Sequence, residues 1–169
     1  MTIIGPDRPG LVQLVASRVA DHGGNWLESR MCHLGGQFAG LARVEVPAEQ
    51  VPKLRQALQQ LETAGLRVTV NAGEVATPAA TGVAATIELV GHDRLGILRT
   101  VTGVLANHGV NVEELTSECL SAPMGGGNLF QARVRVLVPP SVKLETVRAD
   151  LEKIAADLMV DLTLRPTVT

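Results

Sequence analysis

Aromatic side chains and an excess of one charge are both scarce in this 169-residue chain. It has one tryptophan, two phenylalanines and no tyrosine, and its formal net charge is −2. Proteins that bind duplex nucleic acid usually present a clustered basic face, and proteins that bind single strands stack bases on aromatic rings. The composition therefore argues against direct nucleic-acid binding. It also predicts a core built from aliphatic residues.

Cysteine pairs and long apolar runs are also lacking. The two cysteines, Cys32 and Cys119, have no paired-motif spacing and are expected to be free thiols of a reducing compartment. No ligand spacing typical of zinc occurs. No stretch approaches the ~18 apolar residues of a membrane helix, and no signal peptide is visible. We expect a cytoplasmic protein with no metal, no cofactor and no membrane contact.

The chain contains an internal repeat. The segment Gly5–Gly10 (GPDRPG) reappears 86 positions later as Gly91–Gly96 (GHDRLG), and Asp21–Asn25 (DHGGN) reappears as Asn107–Asn111 (NHGVN). A repeat of this length indicates two copies of one structural unit.

A second match predicts the domain boundaries. Ala42-Arg43-Val44 resembles Ala132-Arg133-Val134 at an offset of 90, which predicts about four extra residues in a flexible hairpin loop over 121–127. Residues 73–82 are small, polar and interrupted by Pro and Gly, as in a linker. We therefore predict domain 1 over 1–72, a linker over 73–82 and domain 2 over 83–169.

Each copy reads as strand, helix, strand, strand, helix, strand. For the first copy the predicted ranges are 1–4, 9–22, 26–34, 37–46, 51–64 and 66–70; for the second they are 84–90, a helix from about 95 to 108, 110–120, 129–138, 141–158 and 159–164. Asp93 is expected to be a helix N-cap and Pro9 to lie in a first helical turn. A helical stripe is predicted from Leu95, Leu98, Val101, Thr102 and Leu105. The order predicts an α+β protein of two tandem ferredoxin-like βαββαβ domains, each an antiparallel sheet with its helices on one face.

The turn residues resemble those of a known family. The Asp-Arg-Pro-Gly bend after a strand, followed by an apolar helix and His22-Gly23-Gly24-Asn25, closely resembles an ACT domain. The runs 24–30 and 36–40 resemble the tandem-ACT family of the glycine cleavage system transcriptional repressor. This resemblance implies a non-catalytic, ligand-sensing regulator that binds a small amino acid, with glycine a candidate. Small domains and exposed sheet edges favour a homodimer. Since no basic footprint is present, a repressor of this kind is expected to act through a partner protein that itself contacts DNA.

The resemblance also implies where the ligand binds: at sheet-to-sheet ACT interfaces, near the first strand–helix bend and the start of the second strand. In this sequence those positions are Asp7, Arg8, Pro9, Gly10, Leu11 and Asn25, and in the second copy Asp93, Arg94, Leu95, Gly96, Ile97 and Asn111. Free amides at a helix N-terminus suit a carboxylate, and glycine permits close approach to the backbone. An asparagine can both donate and accept. Leu95 replaces Pro9, which predicts unequal affinity at the two sites.

Simpler interpretations stay open for each of these residues. Asp7 and Asp93 can act as helix caps, the two arginines as surface or dimer contacts, and the two asparagines as turn residues. His22 and His108 fit helix C-termini better than metal ligands, and Cys32 fits a small core position. Two other functions compete: a fragment related to formyltetrahydrofolate deformylases, which carry a similar ACT domain, and a structural partner that binds no ligand.

Overall fold

The computed structural model of the chain describes residues 1–73, 81–121 and 127–167. Contacts divide it into two compact units, Met1–Val75 and Ala76–Thr169. We call these domain 1 and domain 2. Most of the predicted linker and of the predicted hairpin loop, residues 74–80 and 122–126, lies outside the described residues. None of the helices in the described ranges is both long enough and apolar enough to cross a membrane.

Domain 1 has the predicted order of elements. They are β1 (Thr2–Pro6), α1 (Leu11–Asp21), β2 (Asn25–Leu34), β3 (Gln37–Glu45), a short 3₁₀ turn (Ala48–Gln50), α2 (Val51–Gln59), a second 3₁₀ segment (Gln60–Ala64) and β4 (Arg67–Thr69). The second predicted helix therefore changes from α to 3₁₀ geometry in its last turn. The sheet is antiparallel with strand order β2-β3-β1-β4.

Domain 2 repeats this order with longer strands and a longer second helix. They are β5 (Val83–His92), α3 (Ile97–Asn107), β6 (Asn111–Ser121), β7 (Asn128–Val138), α4 (Leu144–Leu158) and β8 (Val160–Pro166). Its antiparallel sheet has the order β6-β7-β5-β8, equivalent to that of domain 1. The α+β prediction of two ferredoxin-like βαββαβ units is confirmed.

Each sheet is covered by its two helices on one face only. Alternate strand residues such as Ile87 and Leu89 on β5 and Val134 on β7 are buried, whereas the arginines between the buried β7 positions are exposed. Because side chains alternate along a strand, one face of the sheet forms the core and the other carries exposed side chains such as these arginines. Val101 of α3 and Leu151 of α4 complete the core of domain 2. Aliphatic residues dominate both cores, as the composition predicts, and Phe130 is also buried in the core of domain 2.

Strand pairing revises the alignment of the two copies. His33 pairs with Phe38 across the first hairpin, and Cys119 pairs with Phe130 across the second. His33 and Cys119 are 86 positions apart, whereas Phe38 and Phe130 are 92 apart, so the second hairpin is six residues longer. The predicted match of Ala42 to Ala132 at an offset of 90 is therefore wrong. The match arose because the tripeptide Ala-Arg-Val occurs by chance in both copies.

Candidate ligand-binding bends

In domain 1 the bend between β1 and α1 is held by backbone contacts. The amide of Asp7 donates to the carbonyl oxygen of Gly36 at 2.9 Å, which ties the bend to the β2–β3 hairpin. Gly10 is the N-cap residue of α1, with φ 92°, and no side chain caps the helix. A positive φ of this kind favours glycine over residues with a Cβ. The bend therefore ends in a helix N-terminus whose first amides lack a side-chain partner.

The bend of domain 2 has the same geometry. The amide of Asp93 donates to the carbonyl oxygen of Asn128 at 2.9 Å, and Gly96 occupies the N-cap position of α3 with φ 89°. Again no side chain caps the helix. The carbonyl oxygen of Gly96 accepts from the amide and the hydroxyl of Thr100, at 2.9 and 3.1 Å.

These geometries correct three predictions about the bends. Asp7 and Asp93 are not helix N-caps, because the helices begin at Leu11 and Ile97, four residues further on. Pro9 precedes the helix instead of lying in its first turn. Leu95 does not join the helical stripe; it lies on the bend with its side chain fully exposed. The missed feature is the left-handed glycine, which takes the cap position without a side chain.

Both arginines of the repeated motif contact the end of the second helical segment of their own domain. The Arg8 guanidinium donates to the carbonyl oxygen of Ala64 at 3.0 Å. Arg94 reaches the Sδ atom of Met159 at 3.9 Å. Ala64 is followed by Gly65 and α4 by Met159, and both of these residues have positive φ. A cation near the C-terminal end of a helix is favoured by the helix dipole, so each arginine holds its bend against that end.

The two aspartates also contact side chains of their own domain. Asp7 Oδ2 lies 2.5 Å from His33 Nδ1 at the end of β2. At the equivalent place in domain 2, Asp93 contacts Cys119 on β6. Local desolvation is the largest cause of the raised pKa of the Cys119 thiol. The charge of Asp93 and its hydrogen bond to the thiol raise this pKa further. The sequence alone predicts neither contact, because each pair of partners is 26 positions apart and no motif connects them. Cys32 is exposed instead of lying in the core as predicted.

The predicted asparagines lie at the other end of each sheet. Asn25 pairs with Glu45, at the end of β3 remote from the bend, whereas Pro6 pairs with Gln37, at the end next to it. Asn111 likewise pairs with Leu137, while His92 pairs with Leu129. Each domain thus brings its bend residues together and places its asparagine away from them.

A depression lies beside the bend of domain 1 and contains none of the predicted binding residues of that bend. Its volume is about 320 Å³, and an exposed ion pair between Arg67 Nε and Glu62 Oε1, 3.5 Å apart, lies at its rim. The lining residues are Ile4, Gly5, Pro6, Gln37, Glu62, Gly65 and Arg67. Within the described ranges, no group of three or more His, Cys, Asp and Glu side chains is arranged to hold a metal ion.

Family comparison agrees with this geometry. Two models described as ACT domain match the chain, over residues 1–71 and 85–156. The chain therefore belongs to the ACT-domain family and contains that domain twice. The resemblance inferred from the bend residues is confirmed at the level of the family.

Solved structures extend the similarity to nearly the whole length. An unknown protein from Galdieria sulphuraria is 29% identical, with a TM-score of 0.87, and the match covers 99% of this chain and 96% of that one. A structure described as a "putative glycine cleavage system transcriptional repressor" is 19% identical with a TM-score of 0.67, over 99% and 95% of the two chains. At this identity the second likeness shows the fold.

A third structure, that of an enzyme, matches only part of the chain. A formyltetrahydrofolate deformylase from Pseudomonas putida KT2440 is 21% identical over 48% of this chain and 28% of its own, with a TM-score of 0.42. A likeness this weak carries no inference about activity. No curated protein sequence matches the chain.

Proposed function

We propose that the protein is a non-catalytic regulator that binds the carboxylate of a small amino acid at the bends of its ACT domains. The observation that carries the proposal is the pair of uncapped helix N-termini that follow Gly10 and Gly96. Such amides attract a carboxylate by hydrogen bonding and by the helix dipole. Membership of the ACT family supports the ligand class, because resemblance to that family implies amino-acid binding.

The contacts within each bend narrow the predicted set of binding residues. The side chains of Asp7 and Arg8 are engaged within domain 1, as those of Asp93 and Arg94 are within domain 2. The carboxylate is therefore assigned to backbone amides from Gly10 and Gly96 onward. The aspartates and arginines then hold the bend in shape instead of contacting the ligand.

We propose that each asparagine contributes to the binding site of a second copy of the chain. Asn25 lies at the opposite end of its sheet from the bend of the same domain. Two copies paired head to tail would bring the asparagine of one copy to the bend of the other. In this arrangement the amides hold the carboxylate and the asparagine amide contacts the ammonium group. The proposal therefore includes a homodimer.

A titration with amino acids tests the proposal directly. In ¹⁵N-labelled protein, glycine and serine are expected to shift the amide resonances of Gly10 and Gly96 and to leave Gly103, in the interior of α3, in place. Glycine is also expected to displace the monomer–dimer equilibrium toward the dimer, because a site shared by two copies stabilises their pairing. Absence of any shift across a panel of amino acids would reject ligand binding.

A structural role without a ligand is the second candidate. It is favoured by one observation: the motif side chains already have partners inside each domain. The same titration separates the two candidates, because a structural partner would show no shift. A deformylase assay on the full chain tests the enzymatic alternative, for which the expected result is no turnover.

The regulatory output is proposed to pass through a partner protein in the cytoplasm. A net charge of −2 leaves no basic excess for neutralising phosphates. The name of the similar repressor structure indicates a role in transcription. Such a role would then need a partner protein that itself contacts DNA. A gel-shift experiment with the purified protein at physiological salt is expected to show no complex, and a shifted band would contradict this part of the proposal.

A further inference from the structure

The depression beside the bend of domain 1 places two opposite charges above a floor of backbone. An added Cβ at Gly5 would overlap the carbonyl oxygen of Gly65, so β1 passes directly beside the turn that precedes β4. Glu62 and Arg67 flank Gly65 in sequence, and 3.5 Å separates Arg67 Nε from Glu62 Oε1. The depression therefore presents a cation and an anion side by side.

This ion pair keeps bonding capacity for a ligand. The side chains of Arg67 and Glu62 are 73% and 68% exposed, and their separation is longer than that of a normal N–H···O hydrogen bond. A guanidinium offers several N–H donors and a carboxylate several acceptor positions. An exposed pair of this kind contributes little to the stability of a fold, so a ligand can separate it at low cost.

The lining residues indicate the class of ligand. The two charges suit a molecule whose carboxylate and ammonium groups are close together, as in an α-amino acid: the carboxylate accepts from Arg67 and the ammonium donates to Glu62. The amide of Gln37 can bond to either group, and the apolar side chains of Ile4 and Pro6 suit an aliphatic side chain. The volume of about 320 Å³ lies at the lower end of the range for ligand pockets, which favours a small ligand.

The equivalent strands of domain 2 carry different residues. Strand pairing sets Asp161 of β8 in the place of Arg67 of β4, and His92 of β5 in the place of Pro6 of β1. A carboxylate thus occupies the place of the guanidinium, and an imidazole occupies the place of an apolar ring.

The end of the second helical segment also differs between the domains. Gly65 and Met159 both have positive φ, and their amides donate to the carbonyl oxygens of Glu62 and Ala156 at 2.9 and 3.2 Å. The methyl group of Ala156 therefore takes the place of the Glu62 carboxylate. Among the described residues, the pair of Glu62 with Arg67 has no counterpart in domain 2.

We propose that the depression of domain 1 is a binding site for a small aliphatic α-amino acid, with the carboxylate on Arg67 and the ammonium group on Glu62. The site uses side chains of one domain, so it is additional to the backbone amides of the bends and does not depend on them. Arg8, whose guanidinium contacts the carbonyl oxygen of Ala64 next to Gly65, adds a second positive charge on this side of the domain. Affinity in the millimolar range is expected, because water screens ionic contacts at an open site.

A titration of L-valine into ¹⁵N-labelled full-length protein at neutral pH tests the site. The amides of Gly5 and Gly65, which line the depression, are expected to shift and to saturate. Two analogues each carry one of the charges: 3-methylbutanoate lacks the ammonium group, and 2-methylpropylamine lacks the carboxylate. Each should need about three- to tenfold more ligand than valine, because one charged contact is lost. Equal saturation by 3-methylbutanoate would overturn recognition by both charges.

Variants of the ion pair assign the contacts. Arg67→Gln and Glu62→Gln each remove one charge and keep a polar side chain. Both should raise the valine concentration that half-saturates Gly65 by about three- to tenfold. Arg67→Lys keeps the positive charge and should retain more affinity than Arg67→Gln. Unchanged binding in Arg67→Gln and Glu62→Gln would overturn the proposal.

A second exposed ion pair of the same sheet provides the matched control. Arg43 Nη2 lies 3.7 Å from Glu28 Oε2, and both side chains are more than half exposed. Arg43→Gln should leave valine binding unchanged. A loss equal to that of Arg67→Gln would overturn the proposal, because the effect would then come from the net charge of the domain. Fluorescence of Trp26, which packs against the core of domain 1, checks that each variant is folded.

The same titration distinguishes this site from the function proposed for the bends. Gly10 and Gly96 report on the bends, whereas Gly65 reports on the depression. Saturation at Gly65 with Gly10 and Gly96 unmoved would support this site and reject ligand binding at the bends. Shifts at Gly10 and Gly96 with Gly65 unmoved would overturn this site and leave the proposed function intact.

Discussion

The imidazole Nε2 of His108 lies 2.8 Å from the carboxylate Oδ2 of Asp150. This contact joins the C-terminal cap of α3 to the middle of α4, so it ties together the two helices that cover the sheet of domain 2. The equivalent histidine of domain 1, His22, instead places Nδ1 at 2.7 Å from the carbonyl oxygen of Arg18 in its own helix. The same helix-end histidine thus links two helices in one domain and caps one helix in the other.

Removal of the His108 side chain is expected to weaken domain 2. His108→Ala loses the contact with Asp150 and should lower the free energy of unfolding by about 1 kcal/mol, the usual size for one hydrogen bond. Chemical denaturation followed by circular dichroism measures the change. His92→Ala, at an exposed histidine of the same domain, is the control and should be near neutral. Equal effects of the two variants would show that the contact contributes nothing.

Gly5 is expected to tolerate no side chain. A Cβ at this position of β1 would overlap the carbonyl oxygen of Gly65, a backbone atom that cannot rotate away. Gly5→Ala should therefore destabilise domain 1 by about 1–3 kcal/mol, as overpacking usually does. Because Trp26 is the single tryptophan and packs in domain 1, its fluorescence reports the unfolding of that domain.

The matched control for Gly5 is a glycine with open space around it. Gly103 lies in the interior of α3, and an added Cβ would meet nothing within 4 Å. Gly103→Ala should stabilise domain 2 by about 0.5–1 kcal/mol through helix propensity and leave the Trp26 transition where it is. A loss of stability in this variant would contradict the packing described around α3.

The thiol of Cys119 is expected to react faster when Asp93 loses its charge. The carboxylate contributes to the raised pKa of this thiol, so Asp93→Asn should lower the pKa and enlarge the thiolate fraction at pH 8. Alkylation by iodoacetamide should then accelerate, because the thiolate is the form that reacts. Mass spectrometry follows Cys119 and uses the exposed Cys32 of the same chain as the internal control. An unchanged ratio of the two rates would show that Asp93 does not act on the thiol.

Arg8 is expected to hold the bend of domain 1 against the end of its second helical segment. Arg8→Ala removes the hydrogen bond to the carbonyl oxygen of Ala64 and should cost about 0.5–1.5 kcal/mol, measured by the Trp26 transition under denaturant. Arg55→Ala, at an exposed arginine on α2, is the control and should fall within about 0.5 kcal/mol of the parent. A loss no larger than that of the control would make the contact incidental.

The architecture of both domains could be predicted from the sequence because it depends on local patterns. Periodic apolar residues such as Val101 and Leu105 fix the buried face of a helix, and alternation around Val134 fixes the buried face of a strand. The sequence places Gly10 and Gly96 at the bends because glycine is conformationally free, but its pattern favours Asp7 and Asp93 as the N-cap residues. A short polar residue before a helix is usually the cap, and here a left-handed glycine takes that place.

Contacts between residues distant in sequence could not be predicted in the same way. The partner of Asp7 is 26 positions away and that of Arg8 is 56 positions away. No periodicity or motif connects such residues; strand register and helix length determine whether they meet. The six-residue difference between the hairpins has the same origin, since only pairing of Phe38 and Phe130 reveals it. The separation of the asparagines from the bends follows from strand direction.

Asp7 and Arg8 contact partners inside their own domain, and this affects how the two copies of the motif can diverge. The Asp-Arg pair stabilises the turn of its own domain. Its presence in both domains therefore does not by itself indicate that either domain binds a ligand. The residue opposite the acid is free to change without loss of this stabilisation, as the histidine and cysteine in the two halves illustrate. Differences in recognition between duplicated domains can therefore accumulate at a neighbouring strand while the motif itself stays the same.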